Sequence, residues 1–91
     1  MKQINIALPT EQDIKSAMNQ ARERIEGKDW KNKDSEGHKR WHQELTEAFI
    51  LKAWNIGGVR PSDLLPEQRE AFIRWCKRVR IIDLGPRISL A

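Results

Sequence analysis

The placement of helix-stopping and helix-starting residues constrains this chain more than any other feature. Stretches with helical spacing of apolar residues are punctuated by Gly27, Gly57-Gly58 and Pro66, and Gly85-Pro86 closes the last. Glycine tolerates the backbone that ends a helix, and proline suits a first helical position because the N–H it lacks has no partner there. The chain therefore reads as three helices, over residues 10–26, 36–56 and 66–80, with an apolar tail at 81–91. Ninety-one residues hold one small core. The expected fold is a single all-α three-helix domain with irregular or extended N- and C-terminal segments.

The first helix is the best defined. Thr10 is placed to cap it, with Asp13 as capping-box partner and Gly27 at its end. Ile14, Ala17, Met18, Ala21 and Ile25 fall on one stripe, and Lys15, Gln20, Arg22, Glu23 and Glu26 form the expected solvent face. After an aperiodic loop at 28–37, a second helix starts near Ser35. Its end, AFILKAWNI, is apolar nearly all round, which predicts a helix surrounded by neighbours, with Trp54 in the core. A connector at 59–68, with a possible helical turn at SDLL, leads to a third helix with Gln68, Phe72, Trp75, Cys76 and Val79 inward. Ile81, Ile82, Leu84, Ile88 and Leu90 are too apolar for a fully solvated tail. They suit an extended segment, which Ile4 and Ile6 could flank as a short strand.

Cys76 is the only cysteine, so no intramolecular disulfide can form, and a small domain without one fits a reducing cytoplasmic setting. The apolar run at 4–8 is too short for a signal peptide, no stretch approaches a membrane span, and no myristoylation or prenylation signal is visible. Soluble and intracellular is the expectation.

Chemistry is sparse. His38 and His42, at i and i+4, have the spacing of a helical metal pair, but the sequence points to no third ligand. They read as solvated imidazoles beside Lys39 and Arg40. Cys76 shares a stripe with Phe72 and Val79, the place of a buried thiol rather than a nucleophile. Gly57-Gly58 lacks the lysine of a phosphate-binding loop. No catalytic residue, metal site or cofactor is expected, and the chain is read as not an enzyme.

Two features point to a partner. The chain has four tryptophans and no tyrosine. Trp75 fits a core stripe, Trp41 is divided between core and surface, and Trp30 lies in a charged loop, either as a lid or as an exposed anchor. The net charge of +4 equals that of residues 74–91, where Arg74, Lys77, Arg78, Arg80 and Arg87 oppose Asp83 alone. Arginine and tryptophan are the residue types that anchor binding surfaces.

Trp30, Trp41, Arg74, Lys77, Arg78, Arg80 and Arg87 are accordingly the expected partner-binding residues. The expected function is a small non-catalytic inhibitor or adaptor that docks on an acidic surface of a larger protein complex, such as one that processes nucleic acid. A phage or other mobile element is a plausible source. The alternative is a DNA- or RNA-binding regulator using the basic face of the third helix. Against it stand a connector too long for a helix-turn-helix and thirteen acidic residues.

Overall fold

The computed structural model of the chain describes residues 8–84. It contains three α-helices, α1 (Glu11–Glu26), α2 (Glu36–Gly57) and α3 (Pro66–Arg78), with single 3-10 turns at Pro61–Asp63 and Ile81–Asp83. This is a small all-α three-helix domain, and no strand occurs among the described residues. The Ile4–Ile6 strand and the tail beyond Leu84, including Ile88, Leu90 and Arg87, lie outside the described residues.

The boundaries follow from local chemistry. The Thr10 hydroxyl accepts from Asp13 N–H at 3.2 Å, and Asp13 accepts from Thr10 N–H at 2.8 Å, a complete capping box. Gly27 ends α1 with φ 105° and ψ 167°, a positive φ but not the left-handed helical region. Ser35 caps α2, whereas Gly58, at φ 69° and ψ 23°, ends it in the left-handed conformation that glycine accepts without Cβ strain. Pro66 is the first residue of α3.

Contacts at the helix ends set the topology. Gly37, in the first turn of α2, packs against the backbone carbonyl of Glu26 so closely that a Cβ there would overlap it. Gly57, at the other end of α2, lies against the Gln68 side chain of α3. Arg24 donates to the carbonyls of Cys76 and Val79 at 2.8 and 2.7 Å, joining the last turns of α1 and α3 and satisfying carbonyls that the end of α3 leaves open. Arg69 donates to Pro9 O at 2.8 Å and joins their beginnings. α1 and α3 are therefore parallel, and α2 runs against both.

The core consists of Ile14, Ala17 and Ala21 from α1, Leu45, Phe49 and Ala53 from α2, and Leu64, Phe72, Cys76 and Val79. The three alanines let the helices approach closely, and Phe49, Phe72 and Trp75 fill the α2–α3 contact with ring centroids 5.8–6.2 Å apart.

Three expectations change. The end of α2 is not enclosed: Phe49 and Ala53 are buried, but Ile50, Leu51 and Trp54 are 51%, 60% and 62% exposed. Trp54 is thus a surface residue, because three helices give α2 neighbours on one side only. Conversely, Glu26, placed on the solvent face of α1 by periodicity, is 5% exposed, and Arg22 turns inward beside it. The start of the tail is a 3-10 turn rather than extended, with Leu84 packed on the core and Ile81 and Ile82 exposed.

Candidate functional site

The antiparallel path of α2 gathers several of the expected binding residues at one end of the bundle. The end of α1, the start of α2 and the end of α3 meet there, bringing together the neighbourhoods of Trp30, Trp41, Lys77, Arg78 and Arg80. They do not form one site. Trp30 borders a groove with Asn19, Gln20, Glu23, Lys28 and Lys31. Arg78 and Arg80 border a different open groove with Trp75, Val79 and Asp83.

Trp30 is half-buried, with the Arg22 guanidinium 5.8 Å and Lys31 Nζ 5.5 Å from its ring centroid. Trp41 is also half-buried and lies 5.4 Å from the Arg40 guanidinium. On the basic face, Arg74 pairs with Glu70 at 2.9 Å and Arg80 with Asp83 at 3.8 Å. Lys77 and Arg78 are exposed and have no ion pair among the described residues. The arginine excess is thus partly neutralised by acids one turn away. Such exposed pairs contribute little to stability, so the arginines stay available to a stronger anionic partner.

Sequence reasoning missed two features. The first is a buried polar cluster between α1 and α2. The Glu26 side chain is fully enclosed. Arg22 Nη1 donates to its Oε2 at 2.8 Å, and His42 Nδ1 lies 3.1 and 3.2 Å from its two oxygens. Arg22 Nη2 donates to the Thr46 hydroxyl at 2.9 Å, and its guanidinium stands 5.0 Å from the Phe49 ring centroid. His38 is stacked on His42 and bonds through Nδ1 to the Trp30 carbonyl at 2.8 Å. The histidines are therefore structural members of the helix contact rather than free solvated rings. A buried carboxylate is tolerated only when paired and hydrogen-bonded, and Glu26 is both. The sequence held only part of this signal, since Arg22 and Glu26 are four apart and flank the Ile14–Ile25 stripe, whereas the approach of α2 at Gly37 is a tertiary contact.

The second feature is the outer face of α2, where Ile50, Leu51 and Trp54 fall within five residues on the side opposite Leu45, Phe49 and Ala53. It lies in the second half of α2, away from the Trp30 and Arg78 end. The all-round apolar composition of 48–56 was this signal, read as burial.

Cys76 is buried in the core, and burial pushes its thiol up to about 12, against a smaller opposing pull from the Arg24 charge. No helix of the described residues is long and apolar enough to cross a membrane. Comparisons with protein-family models, with curated proteins and with solved structures find no match to this chain.

Proposed function

We propose that this chain is a non-catalytic protein-binding domain, an inhibitor or adaptor that docks on a larger protein through the outer face of α2. The observation that carries this reading is the exposure of Ile50, Leu51 and Trp54 together. Three large apolar side chains within one and a half turns of a helix give up burial that a monomer would normally use, and contiguous exposed apolar surface marks an interaction site. An amphipathic helix laid into an apolar groove is a common recognition mode, and tryptophan is a frequent anchor within it. Lys77 and Arg78, exposed and without ion pairs among the described residues, add a second contact suited to acidic groups on the same partner.

Affinity purification from the source organism at low and high salt, with Leu51→Ser/Trp54→Ser beside the unaltered chain, tests this. A stoichiometric protein retained at both salt concentrations, and lost with the double variant, is the expected result. The exposed Lys77 and Arg78 also favour a second reading, nucleic-acid binding by the end of α3. That reading requires duplex or single-strand binding that weakens steeply as salt rises and survives the α2 substitutions. Recovery of nucleic acid alone would replace the first reading with the second.

A further inference from the structure

The parallel course of α1 and α3 leaves a groove that α2 does not border. It is lined at its beginning by Pro9, Asp13, Ser16, Ala17, Ile73 and Lys77. Gln20 belongs to this groove and also to the one beside Trp30, whose other borders are Asn19, Glu23, Lys28 and Lys31. The two therefore run into one another as a single channel over α1. It joins two residues that the sequence marks for a partner, Trp30 and Lys77.

The chemistry of the channel changes along its length. Ala17 and Ile73 give the α1–α3 end an apolar floor. Ser16, Asn19 and Gln20 follow on the exposed side of α1. None of the three is charged, whereas charged residues usually dominate a helix face that meets only water. An Asn or Gln amide offers the same donor and acceptor pair as a peptide unit. Lys77, Lys28 and Lys31 stand along the middle and the far end. Lys28 and Lys77 are exposed and have no ion pair among the described residues. Asp13 already accepts from Thr10 N–H at 2.8 Å in the cap of α1, which leaves Glu23 as the carboxylate opposing three lysines.

We propose that this channel binds an extended acidic segment of a partner protein. An apolar side chain of that segment lies over Ala17 and Ile73, its backbone follows Ser16, Asn19 and Gln20, and its carboxylates meet Lys77, Lys28 and Lys31. Charge complementarity and the row of uncharged polar groups together carry this. From Asp13 to Glu23 α1 rises about 15 Å, which an extended chain covers in about five residues, and reaching Lys31 makes about seven. Single-stranded nucleic acid fits less well. It brings a phosphate at every step past Glu23, and Lys31 Nζ already lies over the Trp30 ring where a base would stack. The channel extends the protein-binding reading to a second surface without depending on the outer face of α2. Both surfaces can then be occupied at once, as an adaptor requires.

The test is a ¹⁵N–¹H titration of the full chain with two pools of seven-residue peptides blocked at both termini. Peptides of the first pool carry one leucine and three glutamates in varied order, and those of the second carry glutamine in place of glutamate. A third titration uses a short thymidine oligonucleotide. The acidic pool is expected to shift the Asn19 and Gln20 side-chain amides and the Trp30 indole N–H, with a dissociation constant on the order of 0.1–1 mM. The glutamine pool should not. Lys28→Gln/Lys77→Gln should weaken binding of the acidic pool at least about fivefold at an almost unchanged unfolding midpoint, while Leu51→Ser/Trp54→Ser leaves it intact. Four results would each overturn the proposal: equal binding of the two pools, shifts centred on Ile50, Leu51 and Trp54 or on Arg78 and Arg80, full affinity in the lysine variant, or tighter binding of the oligonucleotide. None of them removes the α2 reading, which capture with Leu51→Ser/Trp54→Ser judges separately.

Discussion

In its first half, α2 turns His38, His42 and Thr46 towards α1, where they enclose the Glu26 carboxylate and the Arg22 guanidinium. In its second half, the same helix holds Phe49 and Ala53 in the core and leaves Ile50, Leu51 and Trp54 in solvent. One end thus buries charge and the other exposes apolar surface, the reverse of what residue type alone suggests. The difference shows that burial in so small a domain is decided by where the neighbouring helices lie. α1 meets the first half of α2 through a glycine contact, while the outer side of the second half faces no helix among the described residues.

The largest effect should separate the two sides of α2. Phe49→Ala removes a buried ring packed against Phe72 and Trp75 and should cost about 3–5 kcal/mol of unfolding free energy. Chemical denaturation checks this. A loss below about 1 kcal/mol would mean that the α2–α3 contact is not the core.

Most of the fold was legible before any coordinates. Helix starts at Thr10, Ser35 and Pro66 and stops at Gly27 and Gly58 are local chemistry, readable one turn at a time. The stripes of α1 and α3 were legible for the same reason. The apolar run at 48–56 was not, because its composition shows that every side is apolar but not how many sides have neighbours. Glu26 and the two histidines were hidden differently. Glu26 and His42 lie 16 residues apart in sequence and meet only through tertiary packing. Of the residues singled out as binding groups, Trp30 and Trp41 turn out to be half-buried, and Arg78 and Arg80 lie along a separate groove.

The polar end should be nearly as sensitive as the core. Glu26→Ala would leave the Arg22 guanidinium facing an empty site, at a cost of about 3 kcal/mol, whereas Glu67→Ala, on the exposed first turn of α3, should change stability by less than about 0.5 kcal/mol. Equal effects from the two would mean that Glu26 is solvated.

Gly37→Ala tests the close approach that builds this cluster. Its Cβ would meet the Glu26 carbonyl, so α1 and α2 must separate, at about 1–3 kcal/mol in thermal or denaturant unfolding. An unchanged midpoint would rule out that helix contact.

Cys76 offers a readout of the intervening core. Because burial raises its thiol to about 12, the folded state keeps the proton. That contribution is full below the ordinary thiol range and is lost as pH rises through it towards the folded value. At pH near 8, alkylation should therefore be slow until denaturant opens the core, and a fast reaction in native buffer would place Cys76 at the surface. At the small end of the scale, Leu51→Ser and Trp54→Ser should each shift unfolding by less than about 0.5 kcal/mol.

That small expected shift leads to the decisive measurement. Once a partner has been purified, its affinity for the chain and for Leu51→Ser/Trp54→Ser should be compared by calorimetry, alongside the unfolding midpoints of both forms. Docking through the outer face of α2 predicts a loss of affinity of about 2 kcal/mol or more, roughly thirtyfold, at an almost unchanged midpoint. Unaltered affinity, or a collapse of stability in the double variant, would contradict it.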